Sequence, residues 1–177
     1  STGVIGLPMP MMRVEHKYGE LIDHLGPKNG SDVAAAIITS DTHPKEIAIS
    51  FDLGEHRVRL GGCVKGAGMI SPSMATMLCF ITTDAHIPTE TLRKAVLECV
   101  EESFNRITID GDMSTNDTVL VLANGASGMP PIRRNGKRCK QFRQALRWLM
   151  LELAKAVVRD GERVTKFVTV QVKGART

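Results

Sequence analysis

Three stretches of this sequence carry side chains suited to chemistry. The first, Lys65-Gly66-Ala67-Gly68-Met69-Ile70-Ser71-Pro72-Ser73-Met74-Ala75-Thr76-Met77-Leu78, runs from a glycine-rich loop into an apolar segment. Its lysine precedes the glycines and no Gly-Lys-Ser/Thr follows, so the pattern of a phosphate-binding loop is not met. What remains is a small residue followed by a threonine at a loop-to-strand junction. Cleavage between Ala75 and Thr76 would free an α-amine with a pKa near ~8, a general base for the threonine's own hydroxyl. The plain structural alternative is a β-branched residue opening a strand.

The second stretch is Asp110-Gly111-Asp112-Met113-Ser114-Thr115-Asn116-Asp117-Thr118. It starts like a calcium loop, yet it lacks glycine at the sixth position and places Val121 where a bidentate glutamate is needed, so calcium is not expected. Its hydroxyls and carboxylates are expected to tie down a turn through bonds to the backbone. The third stretch, Asp160-Gly161-Glu162-Arg163-Val164-Thr165-Lys166, reads as a helix stop with a charged turn, and Glu162 offers a carboxylate at an element end. None of the five histidines stands at metal-ligand spacing from another ligand, and the four cysteines, at 63, 79, 99 and 139, form no Cys-x-x-Cys pair. No metal is expected, and the cysteines read as reduced thiols of a cytosolic core.

The elements that must position these residues are legible from periodicity. Arg13 to Leu25 has helical spacing, and Asp32 to Ile38 is a shorter alanine-rich helix. Glu46 to Leu53 and His56 to Leu60 alternate as strands, Gly61 to Pro72 reads as a loop, and Met77 to Thr82 as a buried strand. A helix opening at Pro88-Thr89 carries Leu92, Ala95, Val96, Cys99, Val100 and Phe104 on one stripe. A second, after Pro131 to Gly136, carries Phe142, Ala145, Leu146, Leu149 and Leu153. Thr118 to Ala123 is strand-like, and Val164 to Val172 alternates as a last strand. Interleaved helices and strands, without a repeat, predict a layered α/β or α+β sandwich.

A length of 177 residues with 42% hydrophobic content suits a globular protein of one or two domains. No apolar run approaches the ~18 residues of a membrane span, and the first residues lack the basic start of a secretion signal. Lys and Arg outnumber Asp and Glu by 23 to 19. Seven of those cations, Arg133, Arg134, Lys137, Arg138, Lys140, Arg143 and Arg147, fall in one stretch without an anion; elsewhere the balance is 16 to 19. With one Tyr and one Trp available for base stacking, this stretch is expected to be a solvated loop and helix face, not a nucleic-acid surface.

Taken together and in order, Ser1-Thr2-Gly3-Val4-Ile5-Gly6, Thr39-Ser40-Asp41-Thr42 with Pro44-Lys45, the Lys65 to Ile70 loop, Met74-Ala75-Thr76-Met77-Leu78, Gly111 to Thr118 and Asp160-Gly161-Glu162 strongly resemble the ornithine acetyltransferase family, the glutamate N-acetyltransferases of arginine biosynthesis. The resemblance implies a layered αββα-type sandwich, the fold shared by self-processing ornithine acetyltransferases and aminopeptidases. It implies self-cleavage between Ala75 and Thr76, residues 1–75 ending an α part and 76–177 beginning a β part, the two associated as a heterotetramer. Thr76 then becomes the nucleophile, taking acetyl from N-acetylornithine and passing it to glutamate. Thr2 and Gly3 match the oxyanion-hole pair, and Thr39, Lys65, Thr76 and Glu162 match substrate-binding positions. Lys65 and Glu162 have the signs that the carboxylate and ammonium of an α-amino acid require. No cofactor is implied, acetyl-CoA stays open as a second acetyl donor, and the location is cytoplasmic, without membrane or nucleic-acid partners. Two departures are mild: Ser40 where the family usually has Thr, and Arg163 where it has Gly. Family members also extend beyond both ends of this sequence. A hydrolase of the same architecture, with water as acceptor, and a non-catalytic basic module are the competing readings.

Overall fold

The computed structural model describes residues 7–71, 74–75 and 77–174, Met74 and Ala75 by their backbone. Thr2, Gly3 and Thr76 lie outside the described residues.

A four-stranded sheet organises the chain: β1 (Lys45–Leu53), β2 (His56–Lys65), β5 (Leu78–Thr83) and β6 (Thr118–Ala123), in the order β1-β2-β5-β6. β1, β2 and β5 are antiparallel neighbours, whereas β5 and β6 run parallel, joined by a crossover through helix α4 (Thr89–Glu101) and a 3-10 turn at Phe104–Arg106. A small hairpin, β3 (Ile70–Ser71) with β4 (Met74–Ala75), interrupts the path from β2 to β5. The long helix α5 (Lys137–Arg159) packs across β1 and β2, and α4 packs beside it.

The helical stripe of α5 explains this layer. Phe142, Leu146, Leu149 and Leu153 recur on one face and are fully buried against Leu53, Val58, Leu60, Val64, Cys79 and Ile81 of the sheet. Each such side chain contributes roughly 1.5–3 kcal/mol on burial. Arg143 and Arg147 emerge from the adjoining flank to meet Glu98 (2.5 Å) of α4 and Glu102 (2.6 Å) at its C-cap, so part of the basic stretch is spent joining the two helices. Of the cysteines, Cys63, Cys79 and Cys99 are buried free thiols, and burial pushes the Cys99 thiol up to about 12. Burial also raises the Cys79 thiol, so neither is a thiolate nucleophile near neutrality.

The sheet's other face is largely open. One cross-strand row of Ala48, Gly61, Thr82 and Leu122 points there, with Leu122 56% exposed. Helix α3 (Gly30–Ala36) packs on β1 and β2, where the Ser31 hydroxyl donates to Glu46 (2.8 Å).

Four expectations need correction. Gly61 does not begin a loop, because β2 continues to Lys65: a Cβ on Gly62 would lie 2.8 Å from both the Ile81 side chain and the Phe80 carbonyl, so this glycine marks close strand contact. The stripe from Arg13 to Leu25 is broken into α1 (Met11–Glu15) and α2 (Tyr18–Asp23), neither with a buried residue, for the stripe has no surface to pack against among the described residues. Val164 to Val172 forms no strand. Its alternation is intact, but no described strand pairs with it, and Val168, Val170 and Val172 are exposed. Likewise Phe104 falls in the 3-10 turn past α4, though it is buried as the stripe requires.

Candidate active site

Because β2 runs on through Gly62, its last residue, Lys65, pairs with Leu78, two positions beyond Thr76. Two other segments reach the same end of the sheet: the loop from Thr39 to Lys45 that enters β1, and the turn Asp160-Gly161-Glu162 that leaves α5. The three enclose a cavity of about 260 Å³ lined by Thr39, Lys65, Gly66, Gly68, Met69 and Glu162, among others. That is the scale of a small metabolite, below that of drug-sized pockets at about 300 Å³ and above.

A buried ion cluster fastens these segments. The Lys45 ammonium lies 2.6 Å from Asp41 and 2.5 Å from Asp160, with all three side chains at most 3% exposed. Asp41 also accepts the backbone N–H groups of Gly66 (2.7 Å) and Thr39 (3.2 Å). Asp160 accepts the Thr42 N–H (3.0 Å) and the Thr42 hydroxyl. Burial alone would push both carboxyls up. The hydrogen bonds, chiefly from Gly66 to Asp41 and from Lys45 to Asp160, outweigh it, so both sit below the ordinary carboxylate value. One lysine therefore sets the relative position of Thr39, Lys65 and Glu162.

Glycines shape the wall. The Glu162 N–H donates to the Ala67 carbonyl (2.6 Å), and its carboxylate lies so close to Gly68 that a Cβ there would sit 3.1 Å from it. A Cβ on Gly161 would meet Val164 at 2.7 Å, which forces the tight turn that presents Glu162. Arg163 adopts a left-handed φ of 59°, the conformation in which glycine is unstrained, a physical reason for the glycine usual at this place in the resembling family. Lys65 is buried at the base of the cavity, whereas Thr39 and Glu162 are exposed at its rim.

The loop from Asp110 to Thr118 holds the neighbouring chain, as its composition suggests. Asp110 accepts the N–H groups of Met69 (2.6 Å), Ile70 (3.0 Å) and Asp112 (3.1 Å). Desolvation works against the Asp110 carboxylate, but these bonds prevail and lower its pKa. Asp117 accepts the Met77 N–H (2.9 Å), and the Thr118 N–H donates to the Met77 carbonyl (3.1 Å). Ser114, buried, accepts the Asn116 N–H (3.2 Å). Ala75, whose backbone pairs with Ile70 in the hairpin, precedes Thr76; of the predicted catalytic set, Thr76, Thr2 and Gly3 are outside the described residues.

The described residues thus bring together Thr39, Lys65 and Glu162. Sequence reasoning assigned no role to Asp41, Lys45 and Asp160, although all three lie in or beside the quoted motifs; nothing local marks a lysine after Pro44 as buried. Among the described residues no three His, Cys, Asp or Glu side chains gather as a metal site, and no helix is long and apolar enough to cross a membrane.

The chain is similar to known proteins along its length. The chain is 49% identical, over its full length, to "Arginine biosynthesis bifunctional protein ArgJ" of Symbiobacterium thermophilum, covering 44% of that protein. It is 49% identical over 181 aligned positions to "Glutamate N-acetyltransferase" of Methanocaldococcus jannaschii, again covering 44% of the relative. A protein named "Arginine biosynthesis bifunctional protein ArgJ, mitochondrial" from Cryptococcus neoformans is 47% identical, with 99% of this chain and 42% of the relative aligned. The chain spans less than half the length of these relatives. Among solved structures, the crystal structure of the arginine biosynthesis bifunctional protein argJ from Bacillus halodurans matches with a TM-score of 0.50 at 44% identity, over 51% of this chain and 43% of that one. The family model described as the ArgJ family matches residues 1–177, and the chain belongs to that family.

Proposed function

We propose that this chain is the central part of a self-cleaving acetyltransferase that moves acetyl from N-acetylornithine to glutamate in arginine biosynthesis. The observation that carries the reading is the meeting of Lys65 and Glu162, opposite in charge, in one cavity beside the strand that follows Thr76. An α-amino acid presents a carboxylate and an ammonium on one carbon, and this pair complements both.

The chemistry follows from the residues. In the precursor the Thr76 hydroxyl attacks the Ala75 carbonyl, the peptide C–N bond breaks in favour of an ester, and water releases the Ala75 carboxylate, leaving Thr76 with a free α-amine. That amine takes the hydroxyl proton as Thr76 attacks the acetyl carbonyl of N-acetylornithine. Collapse of the tetrahedral intermediate breaks the amide C–N bond, ornithine leaves with the proton, and acetyl remains on Thr76. The amine of glutamate then attacks the ester, giving N-acetylglutamate and restoring the hydroxyl. Thr2 and Gly3 supply hydroxyl and backbone N–H to the developing oxyanion. Thr39 lines the cavity where the bound amino acid would lie.

In this reading residues 1–75 close the α part and residues 76–177 open the β part, which stay associated and pair into a heterotetramer in the cytoplasm. The open face of the sheet supports the αββα layering, since its row of uncharged residues Ala48, Gly61, Thr82 and Leu122 is suited to a second sheet from the rest of the protein. Product analysis of the full-length protein with N-acetylornithine tests the function. N-acetylglutamate formed only when glutamate is present supports transfer; free acetate formed equally without glutamate indicates a hydrolase. Acetylation of glutamate from acetyl-CoA in the same assay decides whether that donor is also used.

A further inference from the structure

The loop from Asp110 to Thr118 has no part in the substrate cavity's charges, yet its two anchoring carboxylates grip the chain on either side of the Ala75–Thr76 bond. Upstream, Asp110 takes the N–H groups of Met69 and Ile70, while the Ile109 N–H (2.9 Å) and the Thr108 hydroxyl (3.0 Å) return bonds to the Ile70 carbonyl. Downstream, Asp117 accepts the Met77 N–H, and the Thr118 N–H donates to the Met77 carbonyl. Met77 is 4% exposed, so its backbone is held in a dry setting where such bonds are strongest. Met77 is also the residue covalently next to Thr76. Fixing both its N–H and its carbonyl anchors the chain at the residue that follows Thr76 in sequence.

We propose that Asp110 and Asp117 are positioning residues that clamp the two sides of the self-cleavage segment. Asp117 seats the threonine, before cleavage as the attacking hydroxyl and afterwards as the new N-terminal nucleophile. This rests on the reading of Thr76 as the cleavage residue. The bonds that matter involve only groups that survive the cut, so both new ends keep their anchors when the peptide is gone. Asp110 acts through Met69, which lines the substrate cavity; Asp117 acts through Met77, which does not. The two carboxylates therefore have separable signatures.

The test uses the full-length protein made by cell-free synthesis, with cleavage followed by intact mass under denaturing conditions. Asp117→Ala removes a charged acceptor and should slow cleavage roughly tenfold or more. Asp117→Asn keeps an oxygen at the same place without the charge, and should cleave at a rate between those of the Ala variant and wild type. In the cleaved fraction, Asp117→Ala should lower kcat at unchanged KM, whereas Asp110→Ala should raise KM. Thr76→Ala separates the proposal from its premise: two fragments from that variant overturn both. An uncut Thr76→Ala protein, with Asp117→Ala cleaving and turning over at wild-type rates, overturns the clamp alone. If Asp117→Ala does not fold, wild-type rates of cleavage and turnover in Asp117→Asn overturn it instead.

Discussion

The ammonium of Lys45 lies 2.5 Å from the carboxylate of Asp160, and this buried contact ties the loop entering β1 to the turn leaving α5. Asp41, on the other side of the same ammonium, adds the Lys65–Gly66 corner through the Gly66 N–H. The cavity is therefore built on one cation shared by two carboxylates.

Replacing Lys45 with Met leaves two buried carboxylates without their cation. Breaking a buried pair in this way costs about 3–5 kcal/mol. Chemical denaturation of the full-length protein should show a loss of that size, and KM for amino-acid substrates should rise. Self-cleavage should persist, because Asp110 and Asp117 hold the cleavage segment independently. Wild-type stability would show that the ion cluster does not fasten the site.

Acid should loosen the same cluster. Asp41 and Asp160 have folded-state pKa values below the ordinary 3.8, so their stabilisation is present above that value and is lost as pH falls through the lower, folded values. Stability should thus decline below about pH 4, and less steeply in an Asp41→Asn variant. A denaturation midpoint that is flat from pH 5 to pH 2, in buffers of equal ionic strength, would contradict the assignment of these carboxylates.

Lys65 and Glu162 differ in burial, and their variants should differ in kind. Lys65→Met removes a cation from the base of the cavity and should weaken binding of an α-amino acid well beyond tenfold. Glu162→Gln acts at an exposed rim, where water screens the charge, and should cost a few-fold. Titration calorimetry on the full-length protein reads both, and unchanged affinity in both would leave them as bystanders.

Much of this architecture is legible residue by residue. The Phe142 to Leu153 stripe announces α5, and the alternation from Glu46 to Leu53 announces β1, because burial on one face leaves a local period. The strand through Gly61 and Gly62 does not, since only the approach of Ile81 and Phe80 makes glycine a strand residue there. The apolar residues of Arg13 to Leu25 and of Val164 to Val172 have the right period but no described surface to bury them, and a period alone makes neither one continuous helix nor a sheet edge. In the site, Thr39, Lys65 and Glu162 are recognisable from motifs. The pairing of Lys45 with Asp41 and Asp160 is not, because Asp160 is distant in the chain and all three depend on burial that no local pattern encodes.

The central claim is that Thr76, freed by cleavage, carries the acetyl group. Full-length, cleaved protein incubated with N-acetylornithine and no glutamate should show, by intact mass, the fragment beginning at Thr76 gaining one acetyl group. Adding glutamate should discharge it, with N-acetylglutamate appearing in equal amount. An unchanged fragment mass during turnover, or acetyl found on any other residue, would contradict the account.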